Sequence, residues 1–338
     1  MADTLATSFG VLNYSGMLFN KGNTRTPLSS IIGGRAKITN HVEFVTGQEY
    51  TTGGGSQPAI SETASLTAPD ASVVTRAQKT NVTQIFQESV GISYAKQSNM
   101  GTLSGLNVAG QQANPMNELD FQVAAKMAKT NADIEYTFIN GKFNKATSDA
   151  TVNKTRGLVT AITSNTTAMG SKPLGLWDIA DMVKKIYGAN APTDGLCLWC
   201  DAVTLFQINA DAVQNGLTVV PAARNINGIS LSSVVTPIGV VYLYLGEYLP
   251  AGTALLLNLS VLAPVFQPVP GKGNFFLEAL AKTGAGEKYQ LFGQIGLDHG
   301  PEWYHGKFTG ISTEFTKPTY SRSVYVANAS EFPGGSSV

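Results

Sequence analysis

Two cysteines three residues apart, Cys197 and Cys200, are the first candidates for chemistry in this 338-residue chain. One CxxC without a second pair completes a tetrahedral zinc site only if histidines arrive from elsewhere. The surrounding Leu196-Cys-Leu-Trp-Cys200 reads as a short buried strand. Residues three apart on a strand point to opposite faces, so the two thiols neither share a metal nor bridge easily. Core packing is the reading that fits. His299-Gly-Pro-Glu-Trp-Tyr-His305 brings two histidines and an acid close together, but the spacing matches no zincin pattern. Gly300-Pro301 marks a turn, and the segment reads as a turn flanked by polar strand ends. Asp178 and Asp181 are helical neighbours on a solvated face. Gly271-Lys-Gly273 and Gly284-Ala-Gly286 lack the following helix that cradles a phosphate, and read as hairpin turns. No GxSxG elbow occurs, and Asn-x-Ser/Thr sequons such as Asn81-Val-Thr are expected by chance in an Asn/Thr-rich chain. With no convergent acid, base or metal set, neither an enzyme nor a cofactor is expected.

The elements that would carry such residues are clearer than the chemistry. Residues 1–34 are polar and Gly/Asn-rich and read as an extended arm. Asn114 as N-cap and Pro115 at the first helical position open a long helix that stops near Asn140-Gly141. Leu119, Val123, Met127, Ile134 and Phe138 form its apolar stripe, and Gln122, Lys126, Lys129, Asn131 and Glu135 its polar face. A second helix spans Pro173–Tyr187, buried along Leu176, Ile179, Val183 and Ile186 and stopped by Gly188. Asp201 caps a third, through Leu205 and Ile208. Strands are expected at 229–236, 240–245, 254–259, 275–280, 287–297 and 302–311. The strand 287–297 alternates strictly, with Tyr289, Leu291, Gly293, Ile295 and Leu297 on one face. No internal repeat is present.

One stretch has no core of its own. Between Arg35 and Val90 strand-like flanks, His41–Thr46 going out and Ser72–Val90 coming back, enclose the Gly-rich Thr51-Thr-Gly-Gly-Gly-Ser-Gln-Pro-Ala59. That describes a projecting ribbon. A two-stranded ribbon is marginal in water by itself, so another copy of the chain is expected to hold it. Composition agrees: 14% of residues are charged and the formal net charge is zero, against about 25% charged in ordinary soluble domains. Charge depletion is a property of interface cores, and zero net charge favours association. The balance also argues against tight nucleic-acid binding, which needs a basic stripe. The most apolar stretch, Thr253 to Phe266, is interrupted by Asn258, Ser260 and Pro264 and is too short to span a bilayer. No secretory signal is visible, and two cysteines make no disulfide framework, so synthesis in a reducing cytosol is expected.

Polar arm, long hairpin, single long helix, compact α/β insertion and closing antiparallel strands follow in the order of the tailed-bacteriophage major capsid proteins of the Hong Kong ninety-seven type. The chain resembles the branch of that family made without a long N-terminal prodomain. The likeness rests on Leu119-Asp-Phe-Gln-Val-Ala-Ala-Lys-Met through Ile139, similar to the spine helix, and on Thr155-Arg-Gly-Leu158 after it. Leu277-Glu-Ala-Leu-Ala-Lys-Thr-Gly through Gly293 and Tyr304-His-Gly-Lys-Phe-Thr-Gly-Ile311 resemble the peripheral strands, and Asp181 to Pro192 the axial insertion. It covers roughly Arg35 to Lys317.

The resemblance implies an α+β fold with an N-terminal arm at 1–34, an extended loop at 35–98 and a peripheral domain from 99–171 and 265–320. The spine helix would be 114–140, the axial domain 172–264 and the tail 321–338. It implies a structural shell protein that self-assembles as pentamers and hexamers into an icosahedral head around double-stranded DNA. The expected partners are copies of itself, a separate scaffold, a portal and decoration proteins, with DNA touched only non-specifically and no membrane. Inter-subunit contacts are expected at Arg35, Glu43, Glu49, Arg76, Lys79, Glu88, Lys126 and Lys129. Some relatives join a loop lysine to a neighbour's Asn beside a buried Glu. Lys79 is the lysine to consider, but no motif marks such a site, and a non-covalent shell is expected. The competing reading is a tail-fibre or other secreted β-rich protein, favoured by the Thr/Ser/Asn/Gly content. The long helix and the lack of repeats count against it.

Overall fold

The computed structural model describes residues 20–95, 118–214, 220–226, 229–282 and 284–315. The expected N-cap Asn114 and Pro115, the connector 97–113, the tail 321–338 and most of the arm 1–34 lie outside them.

The described part of the arm is not wholly extended. Pro27–Ile32 (α1) is a helix with proline in its first turn, and its Leu28 and Ile32 are fully buried. Two apolar residues four apart on a short helix suffice to tuck it into the core. The chain then forms β1 (Lys37–Ile38), β2 (Glu43–Tyr50), a single helical turn α2 (Glu62–Ser65), β3 (Arg76–Val82) and β4 (Gln84–Ser93). The spine helix α3 (Glu118–Asn140) follows, then α4 (Leu158–Ala161), β5 (Thr166–Ala168), α5 (Leu176–Gly188), β6 (Leu196–Cys200) and α6 (Ala202–Gln214). The remainder is strand: β7 (Val220–Ile226), β8 (Ile229–Thr236), β9 (Gly239–Leu245), β10 (Ala254–Asn258), β11 (Ala263–Phe266), β12 (Phe275–Ala279), β13 (Gly286–Asp298) and β14 (Gly306–Thr309). The strand expected at 302–311 is shorter, because Glu302–Tyr304 forms a 3-10 turn.

Two sheets organise the body. The first runs β1-β11-β13-β12, with β4 also pairing with β13. The second has seven strands in the order β5-β14-β10-β6-β9-β8-β7, with β6–β9 and β5–β14 parallel. The alternation along 287–297 places Leu291, Ile295 and Leu297 in the core, as expected. Each sheet has its own core. Phe138, Ile139, Leu158, Trp199 and Leu257 belong to the first, and Ile179, Met182, Val183, Leu198, Leu256 and Phe308 to the second. Strand β6 is the wall between them. Its side chains alternate, so Cys197 enters the first core and Cys200 the second, both fully sequestered, as residues of opposite parity must be. Burial pushes the Cys197 thiol up to about 12 and raises that of Cys200, so neither is a nucleophile at neutral pH.

The ribbon differs from its expected extent. Only β2 and β3 pair as a two-stranded sheet, from Glu43↔Val82 to Tyr50↔Arg76. Of the segment Val82–Val90, expected to complete the returning limb, Val82 does pair with Glu43, but the rest lies along β13: Gln84–Ser93 pairs antiparallel over ten residues. Its alternating Phe86, Val90 and Ile92 are buried in the body.

Candidate inter-subunit surface

The ribbon is built around its root. Asn81 is fully buried and makes four hydrogen bonds: Nδ2 donates to Leu297 O (2.8 Å) and Arg156 O (3.2 Å), while Oδ1 accepts from Arg156 N (2.7 Å) and Val82 N (2.9 Å). Thr83 donates through Oγ1 to Gln267 Oε1 at 2.6 Å. Phe44 lies over Gly296, where a β-carbon would come within 2.8 Å of its ring and of Val82 O, so only glycine admits this packing. A β-bulge between Val45 and Gly47 bends the ribbon just beyond.

Outward of the root everything faces solvent. Residues 51–78 are all exposed, including the turn α2, whose N-cap Ser61 accepts from Ala64 N at 3.1 Å. Large apolar side chains stand in water here: Leu66 is 85% and Val73 88% exposed, with Tyr50, Ile60 and Val74 also open. A closed subunit gains nothing by such exposure, whereas a docking surface does.

The expected contact residues fall into separate places. Glu88, Lys126 and Lys129 come together: Glu88 on β4 accepts from Lys126 Nζ at 2.8 Å and from Lys129 Nζ, clasping the spine helix to the sheet. Those hydrogen bonds, Lys126 first, hold the Glu88 carboxyl below its usual range. Glu43 accepts from Lys145 Nζ at 2.6 Å and Thr80 Oγ1 at 2.8 Å, and its pKa is lowered by the same two bonds. Arg35 donates to the Leu259 carbonyl. Lys79 lies 3.9 Å from Glu49 and 3.9 Å from Glu302. Arg76 stands exposed opposite Tyr50. Seven of these eight residues have partners within their own chain, and Arg76 faces the solvent.

Several determinants carry no sequence signal. Glu135, placed on the outward face by helical spacing, is fully buried and accepts from Leu28 N (2.7 Å), Ser29 N (2.8 Å) and the Ser29 hydroxyl at the start of α1. Met127, placed in the inward stripe, is 48% exposed. Glu302 is buried and accepts from the backbone and hydroxyl groups of Thr163 and Ser164. Burial opposes its charge, yet these donors hold its pKa down to about 2. The segment around His299 is a turn, with Gly300 at φ 62°, but its ends are not polar surface. His299 and His305 are buried, and His305 Nδ1 accepts from Asn258 N while Nε2 donates to His299 O. Among the described residues no group of three His, Cys, Asp or Glu could hold a metal, and no helix is long and apolar enough to cross a membrane.

A family model, SU10 major capsid protein, matches residues 1–312. The chain belongs to the SU10 major capsid protein family. Solved structures share its fold. The Cyanophage A-1(L) capsid asymmetric unit is 11% identical, with a TM-score of 0.63 over 89% of this chain and 96% of the other. The holo-SrpI encapsulin complex of Synechococcus elongatus PCC 7942 is 12% identical, with a TM-score of 0.61 over 91% and 96%. The capsid of Myoviridae phage XM1 is 12% identical, with a TM-score of 0.53 over 88% and 96%. No curated protein matches the chain in sequence. The fold is the α+β Hong Kong ninety-seven type expected from the sequence, and this capsid protein is a structural component of the virion shell, which it builds with copies of itself.

Proposed function

We propose that this capsid protein forms an icosahedral head around double-stranded DNA, and that the ribbon is laid across a neighbouring subunit. The carrying observation is the ribbon itself: it is tied down only at its root and holds Leu66 and Val73 almost fully in water. In this reading 1–34 is the N-terminal arm, 35–98 the extended loop with its docking part in the paired and exposed region, and 172–264 the axial domain. Residues 99–171 and 265–320 are the peripheral domain, and 321–338 is the tail. Arg76, exposed on the ribbon, reaches an adjacent subunit; Glu49, Lys79, Glu43, Glu88, Lys126, Lys129 and Arg35 first order their own subunit and border the contact. The work is structural, without catalysis or cofactor. Individually weak contacts sum through effective concentration once several are made per subunit. A zero net charge suits a wall that touches packaged DNA only non-specifically. Synthesis takes place in the host cytoplasm, with a scaffold, a portal and decoration proteins as further partners.

Negative-stain electron microscopy of the expressed chain is the test. Shells or capsomer rings are the expected result; small monodisperse particles under every assembly condition, or elongated fibres, would overturn the reading.

A further inference from the structure

We infer that Lys79 and Glu302 form a latch that sets the direction in which the ribbon leaves the body. The inference deepens the docking reading above by naming what aims the docking element. Asn81, Thr83, Phe44 and the Glu43–Lys145 pair all hold the ribbon at its root, and anchors gathered at one end leave the strands beyond them free to swing. Lys79 lies two residues outward of Asn81 on the same face of β3, about 7 Å along the strand. Its Nζ is 3.9 Å from Glu302 Oε1, giving the ribbon a second point of attachment. Two points define a direction. The strand opposite stays close there as well: Gly47 pairs with Lys79, and a β-carbon on Gly47 would sit 3.4 Å from Gly300 O.

Glu302 is suited to be the fixed end. Its side chain is only 6% exposed, and four donors from Thr163 and Ser164 lock the carboxylate in place without neutralising it. Lys307, the body's own nearby cation, is committed elsewhere, donating to Val159 O at 2.9 Å and Ile162 O at 2.8 Å. Lys307 feels the Glu302 charge only at longer range, and the ammonium paired with Glu302 within 4 Å is the ribbon's Lys79. Glu49, also 3.9 Å from Lys79, holds the ammonium from the ribbon side and keeps it centred between the two carboxylates.

The test uses unassembled full-length subunits carrying spin labels at Ser56→Cys in the ribbon tip and Lys184→Cys on the body. In the Lys79→Met protein the interlabel distance distribution should broaden, and amides of 43–50 and 76–80 should exchange roughly fivefold faster, the effect of losing one modest contact. Lys79→Arg should restore both, and amides of β4 should be unchanged in either variant. A distribution and exchange pattern in Lys79→Met identical to the parent would overturn the latch, as would acceleration spread equally over β4 and β13. Because no assembly is involved, this outcome is independent of whether the ribbon docks on a neighbour; a ribbon deletion that still forms shells would defeat only the docking reading.

Discussion

A buried amide with every donor and acceptor engaged cannot be replaced quietly. Asn81→Leu would strand two backbone N–H groups and two carbonyls at the ribbon root. The expected cost is about 3 kcal/mol, read as a lower urea midpoint with unchanged slope; an unaltered midpoint would refute it. His305 makes a pH prediction. Only the neutral ring both accepts from Asn258 and donates to His299, and burial pushes its pKa down to about 4 from 6.5. Between those values the unfolded chain binds a proton that the folded chain refuses, so stability falls as pH falls through that window, by about 3 kcal/mol in all. Unfolding free energy measured from pH 7 to 4 should lose this slope in His305→Gln; equal slopes in the two proteins would contradict the assignment. Neither residue was legible in the sequence as a buried anchor. Each has partners far along the chain, Arg156 and Leu297 for Asn81 and Asn258 for His305, as does Glu302, 138 and 139 residues from Ser164 and Thr163, and no local pattern announces such a meeting.

At the scale of elements, periodicity gave the faces of the strands, misplaced Glu135 and Met127 on the spine helix, and gave partners poorly. Gln84–Val90 alternates identically whether it pairs with the outgoing limb of the ribbon or with β13, since a two-residue period fixes which side chains are buried and not which strand covers them. The spine helix failed in a related way. The helix packs against α1 and β4, with Ile134, Phe138 and also Glu135 buried, while Met127, about two turns before Ile134, stands 48% exposed. Ile134→Asp should therefore yield insoluble protein, because an unpaired charge enters the core at a cost of several kcal/mol, whereas Met127→Asp should express solubly with a near-parental melting temperature. Soluble, fully melting Ile134→Asp would reverse the phase of the helix. Lys129→Glu would set a third carboxylate beside Glu88 and Asp133 and should cost about 1 kcal/mol in thermal unfolding, with no loss of fold. The cysteine strand was read correctly for the opposite reason: parity alone separates Cys197 from Cys200, whatever packs on either side.

Among the described residues the subunit has two hydrophobic cores, and the exposed ribbon residues 51–78 belong to neither. Deleting Thr51–Asp70 would leave five residues, 71–75, to close Tyr50 onto Arg76, a normal hairpin length. Such a protein should melt cooperatively like the parent yet give few or no particles by microscopy; loss of cooperative melting would place the segment in the core. Composition pointed to a charge-poor associating chain, in keeping with a shell built from copies, and the expectation that a neighbour holds the ribbon rests on its lack of a core. The direction of the ribbon was not legible there, because it is set by single contacts at the root. One consequence of that root is mechanical. A single residue, Thr83, separates β3 from the ten-residue ladder of β4 on β13. Tension applied to the ribbon and directed along β4 reaches the body as shear across the whole ladder, so its hydrogen bonds resist in concert and do not open one after another like a zip. Force on the ribbon would be taken up along ten of the thirteen residues of β13.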